Sequence, residues 1–128
     1  MIALLDVAAL CARMRAIELD LFEQLGRWVT ETPPGTQQRR WATLCHRHAW
    51  HAELWARRAP AIRPFDLDAA VAAQRGALAE PGDRAAWYAD VVATLRAELA
   101  DAAARIDAEL DPSTARTVAL IGADLAGS

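Results

Sequence analysis

The chain has 128 residues, 54% of them hydrophobic, a net charge of -3 and a pI near 5.5. That length and apolar content fit a single domain, 1–128, with a real core, and argue against disorder. The acidic balance gives no overall attraction to nucleic acid, and no apolar run approaches the roughly 20 residues of a bilayer span. Met1-Ile-Ala-Leu-Leu-Asp6 offers no basic leader segment, so the expected location is the cytoplasm. Cys11 and Cys45 are too few for a disulfide scaffold and lack CxxC spacing. All fourteen basic residues are Arg, a mark of a GC-rich coding sequence more than of chemistry.

Taken in order, the elements are helical. Ala, Leu, Arg and Glu dominate the stretches between the breaks at Pro33-Pro34-Gly35, Pro60 to Pro64, Pro81-Gly82 and Asp111-Pro112. No segment alternates with β-branched enrichment. Four main helices are predicted, over 2–30, 36–59, 83–110 and 113–125. Asp66 is a good N-cap for a minor helix reaching residue 79. The links around Pro33 and Asp111 are short and the link from 60 to 82 is long. The expected fold is therefore all-α. It is an antiparallel four-helix bundle of two helical hairpins, joined by a long crossover that carries the minor helix.

Polar residues interrupt two apolar stripes. At 100° per residue, Leu4, Val7, Cys11, Met14, Leu21, Phe22, Leu25 and Val29 fall within about 60° of Glu18. Arg13, Asp20, Glu23 and Arg27 fall outside this stripe, as solvated charges should. On the next helix Trp41, Leu44, Cys45, His51, Ala52 and Trp55 fall within about 60° of His48, while His46 points the other way. His48 and His51 therefore share one buried face on adjacent turns. Glu18 precedes the first turn by about a dozen residues and His48 follows it by about as many, so the hairpin should bring them level. A carboxylate buried in an apolar core needs a partner. Two imidazoles and one carboxylate suit a single Fe, Mn or Zn ion; a metal-free hydrogen-bonded cluster satisfies the same groups. Cys11 and Cys45 read as packing residues at different heights.

Glu18, followed by His48-Ala49-Trp50-His51, resembles the first half of the ferritin-like superfamily. The resemblance implies a Glu on one helix and Glu-x-x-His on the next as ligands of a carboxylate-bridged di-iron centre. Glu18 matches the first Glu and His51 the His, but His48 stands where the family has Glu. The helix at 83–110 offers Glu98, near the edge of its stripe, or Asp101; the helix at 113–125 has neither His nor Glu. The resemblance thus implies a degenerate member with an incomplete di-iron set, and a single ion at Glu18, His48 and His51 if any.

Charge is uneven. Residues 32–65 carry six Arg and one acid, whereas 66–128 carry five Arg and eleven acids. Complementarity within the chain accounts for this, and the net charge argues against nucleic acid at the basic helix. Trp50, with Arg47 and Leu54 beside it, points away from His48. An outward Trp is usually covered, by the crossover or by another protein, and Trp and Arg are favoured at interfaces. Trp28, Trp41, Trp55 and Trp87 read as packing residues. The short last helix leaves a groove for an apolar small ligand or a second copy, so a homodimer is expected. No GxSxG, Walker or GxGxxG pattern is present. The leading expectation is a non-catalytic protein that binds a partner or small ligand. The alternative is a metal-dependent oxidase or oxygenase acting on a small organic molecule, with a Glu18–His acid–base pair a weaker third.

Overall fold

The structure, a computed structural model, describes residues 3–79 and 81–127. These residues form five helices and no strand: α1 Leu4–Glu31, α2 Thr36–Arg58, α3 Leu67–Gln74, α4 Arg84–Arg105 and α5 Pro112–Ala126. None is long and apolar enough to cross a membrane. The chain divides into two compact units, one spanning Leu4–Leu78 and the other beginning at Ala79 and holding α4 and α5.

In the first unit α1 and α2 form an antiparallel hairpin. The chain leaves α1 where Pro33 and Pro34 cannot continue it. The exposed carbonyls of its last turn are satisfied by side chains: Thr32 Oγ1 donates to Trp28 O at 2.6 Å and Gln38 Nε2 to Val29 O at 2.9 Å. Along the hairpin, Trp28 meets Trp41 edge to face at 4.8 Å between ring centres, Cys45 Sγ donates to Phe22 O, and Arg15 Nη1 donates to Ala52 O at 2.7 Å. These rungs fix the register that brings the centres of the helices level. Two members of the expected α1 stripe are exposed instead, Leu4 (54%) in its first turn and Phe22 (40%) near its middle. Angle on a helical wheel does not say how far the partner helix reaches.

α3 begins at Asp66, whose side chain accepts the Ala69 N–H, as its sequence predicts. Val71 packs on Ala12 and Ala16 of α1, with Leu19, Phe65, Leu67 and Ala70 around them. The small α1 residues let α3 approach closely. The helix stops at Gln74, five residues short of the expected end. Gly76 has φ 80°, a region that L side chains rarely adopt. Its N–H donates to Asp20 Oδ2 at 2.9 Å, while Arg75 Nε donates to Asp20 Oδ1 at 2.6 Å and Arg75 Nη2 pairs with Glu23 at 2.7 Å. Asp20, expected as a solvated charge, is thus the anchor for the end of α3, while Glu23 stays exposed as expected and pairs with Arg75 from the surface.

The second unit holds α4 against α5. Asp83 caps α4 by accepting the Ala86 N–H. α4 ends at Arg105 rather than at 110, because the Asp107 carboxylate accepts the N–H groups of Glu109 and Leu110 and turns the chain. Asp111 caps α5, taking the backbone N–H and the hydroxyl of Thr114. Trp87 is half-buried, and its Nε1 donates to Ala79 O.

Candidate metal centre

Glu18 stands mid-way along α1 among Val7, Cys11, Met14, Leu21, Leu25 and Trp28, all buried. The 3–4 spacing that buries those side chains buries Glu18 with them, at 1% exposure. On α2 the same spacing buries Trp41, Leu44, His48, His51 and Trp55. The hairpin then brings Glu18 to the two imidazoles. His48 Nδ1 lies 2.5 Å from Glu18 Oε2, and His51 Nδ1 lies 3.3 Å from Glu18 Oε1. The imidazole rings meet edge to face, 5.6 Å apart. Each carboxylate oxygen thus faces its own ring.

Burial alone pushes the Glu18 carboxyl up. The hydrogen bond from His48, the His51 imidazole 3.3 Å away and the charge of both rings outweigh it and hold the carboxyl below its ordinary value. A sealed carboxylate is therefore kept ionised by two neighbours that can also ligate metal. Among the described residues these three form the one group of His, Cys or acidic side chains able to hold an ion, with one donor atom from each within 4.8 Å of the others.

The donor set fits such an ion. Two ligands bound at roughly 2.0–2.1 Å in a tetrahedron stand about 3.4 Å apart, close to the 3.3 Å between His51 and Glu18. The 2.5 Å contact of His48 is shorter than such an edge and is a charge-assisted hydrogen bond. The His48 ring would turn or withdraw slightly to share an ion with Glu18. Two imidazoles and one carboxylate leave coordination positions open.

The acidic side chains that the sequence offers on α4 lie outside this group. Asp101 is exposed and pairs with Arg105 at 3.7 Å, Glu98 is half-buried, and the buried face of α5 carries Thr114, Val118, Ile121 and Leu125. On the outer face of α2, Trp50 is 44% exposed, with Arg47 and Leu54 half-buried beside it. The Arg57 guanidinium lies 5.4 Å from the centre of the Trp50 ring and pairs with Glu53 at 3.1 Å. Thr43, His46, Arg47, Ala49, Trp50 and Glu53 line a shallow depression there. His46 is exposed, as expected.

No protein-family model, curated protein or solved structure matches the chain.

Sequence reasoning missed two contacts near the centre. Arg15 reaches across to the Ala52 carbonyl, next to His51. Asp20, two residues beyond Glu18, holds Arg75. Arg15 gave no signal because its partner is a backbone atom, and Asp20 gave none because its partner is remote in sequence.

Proposed function

We propose that this protein is a degenerate ferritin-like four-helix protein. It keeps a single-ion site at Glu18, His48 and His51 and acts as a binding or interaction protein. The observation that carries this reading is the convergence of one carboxylate and two imidazoles in an interior where none is more than 1% exposed. A divalent ion there would neutralise the Glu18 charge and tie α1 to α2 by bonds to both helices, so binding would couple to folding. The ion class is Fe, Mn or Zn, matched by donor softness. The face around Trp50, Arg47 and Leu54 is then the surface that meets a partner protein or a second copy. The burial of all three ligands weighs against turnover of any organic substrate larger than a few atoms, which must reach the reacting atoms.

The donor set favours a second reading, an oxidase or oxygenase, because two His and one carboxylate leave room for dioxygen and substrate on iron. Both readings share the ion and differ in access. The deciding experiment is metal analysis of protein purified without chelator or nickel resin, alongside Glu18→Gln. Near one ion per chain, lost in the variant, is expected. Absence of stoichiometric metal, with stability unchanged by chelator, overturns the metal site and leaves a hydrogen-bonded cluster. Consumption of dioxygen by the iron(II)-loaded protein would favour the oxidase.

A further inference from the structure

Trp55 lies one helical turn beyond His51 on the buried face of α2 and has no exposed surface. Its indole Nε1–H finds no hydrogen-bond acceptor among the described residues. Buried donors are almost always satisfied, and an orphan calls for a partner from outside the chain. The same turn of α2 also receives positive charge, because Arg15 Nη1 donates to Ala52 O at 2.7 Å, between His51 and Trp55 in sequence. Charge counting points the same way. A divalent ion on Glu18 and two neutral imidazoles leaves one uncompensated positive charge in an apolar interior, and an interior charge needs a counter-ion.

We infer that Trp55 is a further binding residue of this centre, and that its indole N–H donates to an oxygen of a small anion of the carboxylate class bound together with the ion. The inference rests on the metal-binding reading above. It assigns the site an exogenous ligand and assigns a role to a buried tryptophan that plain packing leaves with an unused donor. A water molecule would offer the same kind of acceptor, so the experiment separates the two.

The test follows the Trp55 indole 1H–15N resonance of the wild-type chain, first with Zn(II) alone and then with acetate added. Assignment by triple resonance needs no variant. A saturable downfield shift on acetate addition to the zinc-loaded protein, and none in the metal-free protein, is expected. In the zinc-loaded state Trp55→Phe should lose about tenfold in acetate affinity, the size of one hydrogen bond. If Zn(II) itself does not bind, the metal reading fails and the inference fails with it. If Zn(II) binds but acetate leaves the indole unmoved, the anion is refuted on its own. A shift on zinc alone, unchanged by acetate, makes water the acceptor and also overturns the anion. Should Trp55→Phe not fold, the wild-type resonance still decides.

Discussion

The Oε2 atom of Glu18 and the Nδ1 atom of His48 lie 2.5 Å apart, thirty residues apart in sequence, with both side chains sealed from solvent. A contact of that length between a carboxylate and an imidazole is a charge-assisted hydrogen bond. It joins the centres of α1 and α2, so part of the hairpin's stability is stored at the candidate metal centre.

Removing the carboxylate should therefore cost stability even in metal-free protein. Glu18→Gln keeps the shape and loses the charge, and should cost about 1.5–3 kcal/mol, the value of a hydrogen bond to a charged group. Glu18→Ala also leaves two buried imidazoles facing a cavity, and should cost about 3–5 kcal/mol. Urea denaturation of chelator-treated protein measures both. A loss below about 0.5 kcal/mol in each would mean that the cluster contributes nothing to the fold.

The same carboxylate predicts an acid dependence. Glu18 is held below its ordinary value of 4.5 in the folded chain, by its two imidazole partners acting against burial. Below 4.5 the unfolded chain takes up the proton first, so its proton binding exceeds that of the native state. The stabilisation from Glu18 is complete above 4.5 and is lost as pH falls through the depressed folded value. Other acids titrate in the same range, so the difference between wild type and Glu18→Gln is the informative quantity. Urea midpoints should be well separated at neutral pH and converge on acidification, in chelator. A difference that grows as pH falls would reverse the sign and refute the depressed value.

Much of this centre is legible in the residue order, and the reason is geometric. Two helices with unbroken 3–4 spacing and one sharp Pro-Pro-Gly turn leave little freedom in which faces meet or at what height, so Glu18, His48 and His51 are placed by counting. The same counting buries Trp41 and Trp55. It does not reach α3, because the pairing of Asp20 with Arg75 spans 55 residues and depends on where the chain returns after Pro60. It also runs α4 on to residue 110, since the turn there is made by one aspartate bonding locally. Phe22 shows the limit of a wheel: it lies within the Glu18 stripe in angle, yet 40% of it is exposed.

Asp20 should be a stabilising residue in its own right. Its carboxylate takes both the Arg75 guanidinium and the Gly76 N–H, and Arg75 is raised above its ordinary value by its hydrogen bonds to Asp20 and then Glu23. Asp20→Ala should cost about 1.5–3 kcal/mol and should loosen α3 before the rest of the unit. Hydrogen exchange of the 67–76 amides would show faster exchange there, with the centres of α1 and α2 protected. Uniform acceleration across the whole unit would mean that α3 does not open separately.

Trp50 should behave in the opposite way, because the residue is 44% exposed and the Arg57 guanidinium lies over its ring. An exposed cation–π contact is worth about 0.5–1 kcal/mol, so Trp50→Ala should change the stability of the isolated chain by no more than that. If the face it shares with Arg47 and Leu54 meets a second copy, the same substitution should weaken self-association strongly, since an aromatic anchor at the centre of an interface can carry 2 kcal/mol or more. Sedimentation velocity over a range of protein concentrations distinguishes the cases. A wild type that dimerises and a Trp50→Ala variant that stays monomeric at the same concentration would place the interface on α2. A dimer unaffected by the substitution would place it elsewhere, and a wild type monomeric at every concentration would leave this face to a different partner protein.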